Sequence, residues 1–246
     1  MATLTGRSAL VTGASRGIGA AIAQRLAKEG AEIAITFSSS PERAHQVVKE
    51  ITDGGGRAVA IKADAVDQSA VRSAVQATAK EFGKIDILVN NAGVLALGLI
   101  ADFPSEDFEK ALSVNVRSVF TAVQETLRYM PDGGRIITIG SVNSDRMPFQ
   151  GGSVYALTKG AVASFTKGLA RDLGERRITV NNIQPGPVDT EGNPASGPFA
   201  DTLLGLMALK RYGHAEEIAA MAAYLAGPEA GYVTGASLLI DGGFAA

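Results

Sequence analysis

The sequence predicts an α/β fold, a doubly wound parallel sheet of about seven strands flanked by helices. Three observations point to it. Short β-type runs alternate with helical segments along all 246 residues. Several runs are almost continuously apolar, as in Ile85-Asp86-Ile87-Leu88-Val89, which suits strands covered on both faces. A glycine cluster separates the first strand from the first helix, and right-handed crossovers then put ligands at the carboxyl ends of the strands.

The elements follow in order. Ser8 to Thr12 reads as the first strand, and Ile18 to Lys28 as a helix with Ile22 and Leu26 on its apolar face. Glu32 to Phe37 is the second strand. Pro41 opens a helix at a position proline favours, and Gly54-Gly55-Gly56 ends it. Strand Ala58 to Ala63, helix Val71 to Phe82 and strand Ile85 to Asn90 come next. One helix is expected from Ser105 to Met130, followed by strand Arg135 to Gly140 and helix Ser153 to Leu173. Strand Ile178 to Ile183, helix Ala215 to Ala226 and a last strand at Ser237 to Ile240 complete the alternation. Residues 187–211 break it with a Gly- and Pro-rich stretch, including Gly192-Asn193-Pro194 and Ser196-Gly197-Pro198. A long irregular insertion after a strand's carboxyl end reads as a lid on a single domain spanning 1–246.

Composition excludes several classes. A formal net charge of −2 lacks the basic excess of a nucleic-acid binder. The chain has no cysteine, so neither a disulfide framework nor a thiolate metal site is available. His45 and His214 stand apart from any carboxylate cluster, and both are expected at the surface with no catalytic metal. The N-terminal residues lack a basic start with a long apolar core, and no run reaches the ~18 apolar residues of a membrane span. A soluble, cytoplasmic protein is expected.

The first strand runs into Thr12-Gly13-Ala14-Ser15-Arg16-Gly17-Ile18-Gly19 and then a helix. Glycines there permit a tight turn and let backbone N–H groups reach a pyrophosphate at the helix N-terminus. The spacing is G-x-x-x-G-x-G rather than G-x-G-x-x-G. After the second strand the chain reads Thr36-Phe37-Ser38-Ser39-Ser40, with no acid to hold a ribose 2′-OH. Arg16 supplies positive charge, and the serines offer hydrogen bonds to a phosphate, so NADP(H) is expected over NAD(H). The same serines also suit a cap for the helix at Pro41.

Tyr155 and Lys159 lie four apart on a predicted helix and share a face. An adjacent ammonium stabilises a phenolate, which makes Tyr-x-x-x-Lys a general acid–base pair. Ser141 follows a strand and can polarise a carbonyl. Asn90-Asn91-Ala92-Gly93 follows another and offers amide and backbone groups.

The ordered set Thr12-Gly13-x-x-x-Gly17-Ile18-Gly19, Asn90-Asn91-Ala92-Gly93, Asn115, Ser141, Tyr155-x-x-x-Lys159 and Pro185-Gly186 resembles the short-chain dehydrogenase/reductase family over essentially the whole chain. That resemblance implies a Rossmann-type enzyme moving hydride between a nicotinamide cofactor and a carbonyl or alcohol. Tyr155 would protonate the carbonyl oxygen and Ser141 would hold it. Lys159 would lower the tyrosine pKa and bind the nicotinamide ribose. Asn115 would hold a water linking Lys159 to solvent. Asp64 and Ala65, after the third strand, would meet the adenine, with helix capping as the plain alternative for Asp64. Pro185, Gly186, Val188 and Thr190 would line the nicotinamide side. Relatives pack their last strand and two long helices against other subunits, which implies a homotetramer.

Substrate choice has three readings. The first is a small or cyclic ketone, in a pocket lined by residues 94–99, Asn143, Phe149 and Gln150; Gly140 to Pro148 resembles the small-ketone subgroup. The second is a 3-oxoacyl-carrier-protein reductase, which the chain resembles broadly. Acidic carrier proteins need a basic patch, and here Arg128 and Arg171 remain without a Lys/Arg cluster. The third, of another class, is a regulatory protein that binds a cyclic dinucleotide on the same fold. Against it stands the retention of Ser141, Tyr155 and Lys159.

Overall fold

The computed structural model describes residues 3–246. Strands β1 (Ser8–Val11), β2 (Glu32–Phe37), β3 (Ala58–Lys62), β4 (Ile87–Asn90), β5 (Arg135–Ile139), β6 (Thr179–Pro185) and β7 (Ser237–Ile240) form a single sheet in the order β3-β2-β1-β4-β5-β6-β7. Each neighbouring pair runs parallel. The strand order reverses between β1 and β4, and a doubly wound sheet opens its ligand crevice at that point.

Alternating residues feed two cores. Ala9, Val11, Ile33, Ile35, Ile87, Val89, Ile137 and Ile139 pack on one face with helices α1 (Gly17–Lys28), α2 (Pro41–Asp53) and α8 (Ala215–Ala226). Leu10, Ala34, Leu88, Ile136 and Val180 pack on the other with α3 (Gln68–Phe82), α5 (Ser118–Thr126) and α6 (Ser153–Asp172). Strands β1, β2 and β4 are therefore largely apolar on both sides, as their sequence indicated, whereas β6 buries Asn181, Asn182 and Gln184. Asp86 is a buried charge just before β4. It lies at the amino end of the sheet, buried, accepting from the Ser8 amide and paired with Arg7 and Lys84.

Several element boundaries shift by a residue or two from expectation, and three differences have identifiable reasons. Helix α3 starts at Gln68 rather than Val71, because the Asp67 carboxylate caps the Ser69 and Ala70 amides. The sheet pairing of β6 continues to Pro185, two residues past Ile183, because Pro185 still registers with Ile240. The helix expected from Ser105 to Met130 is interrupted. It consists of α4 (Ser105–Leu112), a π-helical turn at Ser113–Arg117, and α5, which ends at Thr126. Such turns gather at functional sites.

The stretch at 187–211 contains one short helix, α7 (Ala200–Leu206). Its distal end is fastened by the C-terminal tail. Leu209 N donates to Gly242 O at 2.8 Å, and Phe244 is buried with Met207 and Val142. The tail itself is organised by Asp241, whose carboxylate accepts from the Gly243 and Ala245 amides at 3.0 and 2.8 Å. Arg146 donates to the Phe244 carbonyl and sits 5.7 Å from the Phe244 ring centre. No helix among the described residues is long and apolar enough to cross a membrane.

Phe244 thus joins α7, the turn after β5 and the tail in one apolar cluster. Replacing it with alanine empties that cluster, and Phe244→Ala is expected to lower unfolding stability by about 3–5 kcal/mol, read from urea denaturation.

Candidate active site

The site is built at the β1–β4 seam. Thr12 Oγ1 accepts from the amides of Asn91 and Ala92 at 3.0 and 3.1 Å. In return, Asn91 Nδ2 donates to the carbonyls of Thr12 and Gly13 at 2.9 and 3.0 Å. Gly13 N donates to Thr36 Oγ1 at 3.0 Å, which ties the turn to β2 as well. Space and conformation dictate the glycines. Gly13 has φ +63°, and a Cβ there would stand 2.8 Å from Ala92 Cα. A Cβ on Gly19 would stand 2.4 Å from Asn91 Nδ2.

Helix α1 begins immediately after this turn. Its N-cap is Arg16, which makes no side-chain cap hydrogen bond, and its first turn holds no acidic residue. Its leading N–H groups are thus oriented as an anion site. A dinucleotide pyrophosphate fits that cradle, formed by Gly13, Ser15, Arg16, Gly17, Ile18 and Gly19, in which a Cβ at Gly13 or Gly19 would clash. Gly186, at the end of β6, is equally constrained, since a Cβ would stand 2.6 Å from Asp241 Cα.

At the carboxyl ends of β4, β5 and β6 lies a cavity of about 280 Å³. It brings together Ile18, Asn91, Gly93, Ser141, Tyr155, Lys159, Pro185, Gly186, Val188 and Thr190 from the sequence-derived set. Ser141 lies two residues past β5 and caps a short turn at Val142–Ser144, its hydroxyl accepting from Asn143 N at 3.1 Å. Ser144 Oγ donates to the Ser141 carbonyl at 2.9 Å and is itself held by Gln184. Tyr155 and Lys159 are one turn apart on α6, with Lys159 Nζ 5.7 Å from the Tyr155 ring centre.

Burial governs both titratable groups. It pushes the Tyr155 phenol above its ordinary value, and an interaction with the Ser141 side chain opposes that rise. It pulls Lys159 down to about 8. The lysine ammonium donates to the Ile139 carbonyl at 2.9 Å. Asn115 lies in the π-helical turn, where its Oδ1 accepts from Val94 N at 2.8 Å. Its Nδ2 donates to the Val94 carbonyl and to Thr158 Oγ1 at 2.9 and 3.1 Å. A Cβ on Gly93 would stand 3.5 Å from Asn115 Oδ1 and 3.6 Å from Lys159 Nζ, so the three residues meet at one point.

The remaining positions sit further along the crevice. Ser38 and Ser39 are exposed after β2, and Ser40 provides the N-cap of α2 without a side-chain cap bond. Helix capping therefore does not occupy the Ser40 hydroxyl. The Phe37 side chain points into the core against His45, leaving only its backbone near the crevice. Asp64 accepts from Val66 N at 3.0 Å, and Ala65 borders a small cavity beside Thr12, Thr36 and Ala92. Within the apolar stretch after β4, Val94 and Leu95 line the larger cavity. Asn143, Phe149 and Gln150 are not among its lining residues; Asn143 instead supports the Ser141 hydroxyl. Asn193 joins the lining unforeseen.

Arg43 lies outside the sequence-derived set. It falls in the first turn of α2 and bonds to Glu191. A cation at a helix N-terminus opposes the helix dipole, and that mismatch was the available signal. Both histidines are exposed, and no group of three or more His, Asp or Glu residues that could hold a metal occurs among the described residues.

Residues 13–245 match the family model described as enoyl-(acyl carrier protein) reductase. The chain is 58% identical to a short-chain dehydrogenase/reductase from Serratia marcescens BCRC 10948, covering 99% of this chain and 100% of that one at a TM-score of 0.98. It is 50% identical to a short-chain dehydrogenase from Burkholderia cenocepacia J2315 solved in complex with NADP, with 99% and 100% coverage and a TM-score of 0.98. It is also 45% identical, over 100% of both chains, to the cyclic-di-GMP-binding biofilm dispersal mediator protein of Escherichia coli K12. The chain belongs to the short-chain dehydrogenase/reductase family. It is an oxidoreductase of that family.

Lys159 gives the site a pH signature in the cofactor-free protein. Its folded value of about 8 lies below the ordinary 10.5, so between those values the unfolded chain holds a proton that the folded one has released. Stability contributed by this group therefore rises with pH across that window and falls as pH drops through 8. Urea titrations at pH 7.5 and 9.5 should show the wild type gaining stability relative to Lys159→Met at the higher pH.

Proposed function

We propose that the protein reduces a small or cyclic ketone, taking hydride from NADPH in preference to NADH. The observation that carries this reading is the convergence of Ser141, Tyr155 and Lys159 on one cavity that Gly93, Pro185 and Gly186 also line. Bound NADPH supplies the hydride; the protein supplies position and protons. Gly13 to Gly19 hold the pyrophosphate at the α1 N-terminus. Arg16 with Ser38 and Ser39 takes the 2′-phosphate, while Asp64 and Ala65 flank the adenine. Pro185, Gly186, Val188 and Thr190 face the nicotinamide.

In this reading the Ser141 hydroxyl donates to the ketone oxygen and orients it. Tyr155 delivers its phenolic proton to the same oxygen as the carbonyl carbon is reduced. Burial keeps that phenol protonated until it is needed. Lys159, poised near 8 rather than 10.5, keeps its charge at neutral pH yet gives up a proton readily. Asn115 fixes Val94 beside Gly93 and Lys159. Because Val94 and Thr158 engage its amide, the water relay falls to its second Oδ1 lone pair or to the main chain of the π turn. Residues 187–211 act as the lid.

The apolar rim of Leu95, Leu97 and Leu99, each more than 45% exposed, favours an uncharged substrate. A carrier-protein substrate fits less well, since Arg128 is occupied by Glu125. We further propose a cytoplasmic homotetramer. Phe120 and Leu157 on α5 and α6, with Tyr224 on α8 and Leu239 on β7, leave apolar surface exposed on two faces. Light scattering tests this, and a monomer at micromolar concentration overturns it.

A second reading has one specific observation in its favour, the likeness to a cyclic-di-GMP-binding protein. Calorimetry with that dinucleotide beside an NADPH-oxidation assay separates the two, because binding without turnover on any carbonyl supports the regulatory role.

Three outcomes are expected of the reductase. Across cyclic ketones, 2-oxo esters and 3-oxoacyl thioesters, kcat/KM is highest for a cyclic or small ketone. NADPH gives a higher kcat/KM than NADH. Tyr155→Phe retains NADPH binding and loses about 10²–10⁴-fold in turnover, the range of a general acid.

A further inference from the structure

Three charged side chains from separate segments meet over the glycine turn. Arg16 is the N-cap of α1, Arg43 lies in the first turn of α2, and Glu191 is the fifth residue of the irregular stretch 187–211. Arg43 Nη1 bonds to Glu191 Oε2, and Arg16 Nη1 stands 3.5 Å from the same oxygen. The preceding residue, Thr190, lies over the turn, its methyl 3.5 Å from where a Cβ on Gly17 would be. Glu191 therefore lies beside the glycine turn, in contact with the Arg16 that is proposed to take a phosphate.

The charge balance there is uneven. Two guanidinium groups face one carboxylate, leaving a formal excess of one positive charge. A phosphomonoester brings up to two negative charges and three strong acceptors, so it satisfies both arginines better than a carboxylate does. The two anions would repel each other if both stayed. The side chains of Arg16, Arg43 and Glu191 are 58%, 48% and 57% exposed, and ion pairs at such exposure are weak and exchangeable.

We propose that Glu191 is an internal stand-in for the cofactor's 2′-phosphate. It neutralises the Arg16–Arg43 pair in the cofactor-free protein. An incoming 2′-phosphate displaces it and so releases the Glu191 side chain from the arginines beside the glycine turn. Arg43 is then a second arginine of the phosphate subsite, and Glu191 sets how strongly the protein distinguishes the two cofactors. NADH has nothing to put between the arginines and leaves the clasp closed. This inference rests on the NADPH reading above.

Equilibrium binding of NADPH and NADH to wild type, Glu191→Gln, Arg43→Gln and the double variant tests it, by calorimetry on the cofactor-free enzyme. Removing the competing carboxylate should tighten NADPH about two- to fivefold, the range an exposed ion pair supports, and leave NADH unchanged. Arg43→Gln should weaken NADPH alone, and the gain from Glu191→Gln should vanish in the double variant, because the two residues act through one contact. Weaker NADPH binding in Glu191→Gln overturns the proposal, since Glu191 would then close over the phosphate instead of yielding to it. Equal shifts for both cofactors, or no shift at all, overturn it too. A wild type that binds NADH as tightly as NADPH defeats the cofactor preference itself. A wild type that prefers NADPH, with Glu191→Gln unmoved, defeats the clasp alone.

Discussion

The carboxyl edge of the sheet depends on the seam between β1 and β4. At that point the chains leave in opposite directions, and their backbone groups would be stranded without a partner. A single threonine hydroxyl and a single asparagine amide close the gap. Thr12 accepts two amides from the β4 side, and Asn91 returns two hydrogen bonds to the β1 side. Each bond contributes about 1 kcal/mol net, but a buried group left unpaired costs about 1–3 kcal/mol, so all four are held together. Gly19 belongs to the same seam. Its missing side chain is where the Asn91 amide sits, which sets how close α1 comes to β4. The width of the crevice follows from that distance.

A second constraint sits on the other side of the crevice. Burying an ammonium is expensive, and Lys159 has one hydrogen bond to the Ile139 carbonyl to offset it. Its depressed pKa is the direct consequence. The surrounding structure has to hold the lysine in place by packing and polar contacts instead. Thr158, its neighbour, bonds to Asn115, and Asn115 bonds to Val94 on both backbone groups. The π-helical turn supplies the geometry for this, because a regular helix at 113–117 would rotate Asn115 away from its present direction. Local helical regularity is given up where a functional constellation needs a particular direction.

Most of the architecture was legible because apolar strands, glycine turns and helix starts leave local signals. The seven strands and their positions followed from such signals, and so did the meeting of Tyr155, Lys159 and Ser141. What the sequence concealed is non-local or irregular. Thr36 binds the Gly13 amide across 23 residues, and nothing near either residue announces it. The π turn interrupts a stretch that reads as one helix. Phe37 was placed in the cofactor set by its position after β2, yet alternation along the strand turns its ring into the core. Phe149 and Gln150 were placed in the pocket and fall outside its lining. The adjacent Gly151 instead bonds to Gly98, a contact across 53 residues that no local signal marks.

That tail also explains why residues 187–211 need not behave as one unit. Parts of the stretch are held by different physics. Pro187 and Asp189 bond to the Gly213 backbone with Val188 buried between them, but Glu191 just beyond is held by exposed ionic contacts that solvent and salt weaken. At its end, Met207 is buried against Phe244 and Val142, and Leu209 bonds to the Gly242 backbone. The tail is fixed there by left-handed glycines at 242 and 243, the second so close to Ala208 that a Cβ would stand 2.6 Å from its methyl. Apolar burial at Val188 and Met207 and surface charge at Glu191 between them give the segment unequal local stability. If the stretch acts as the proposed lid, opening would start at Glu191 and pivot on those two anchors. Val142 belongs to the Met207 cluster, so the turn after Ser141 is held by the same apolar anchor.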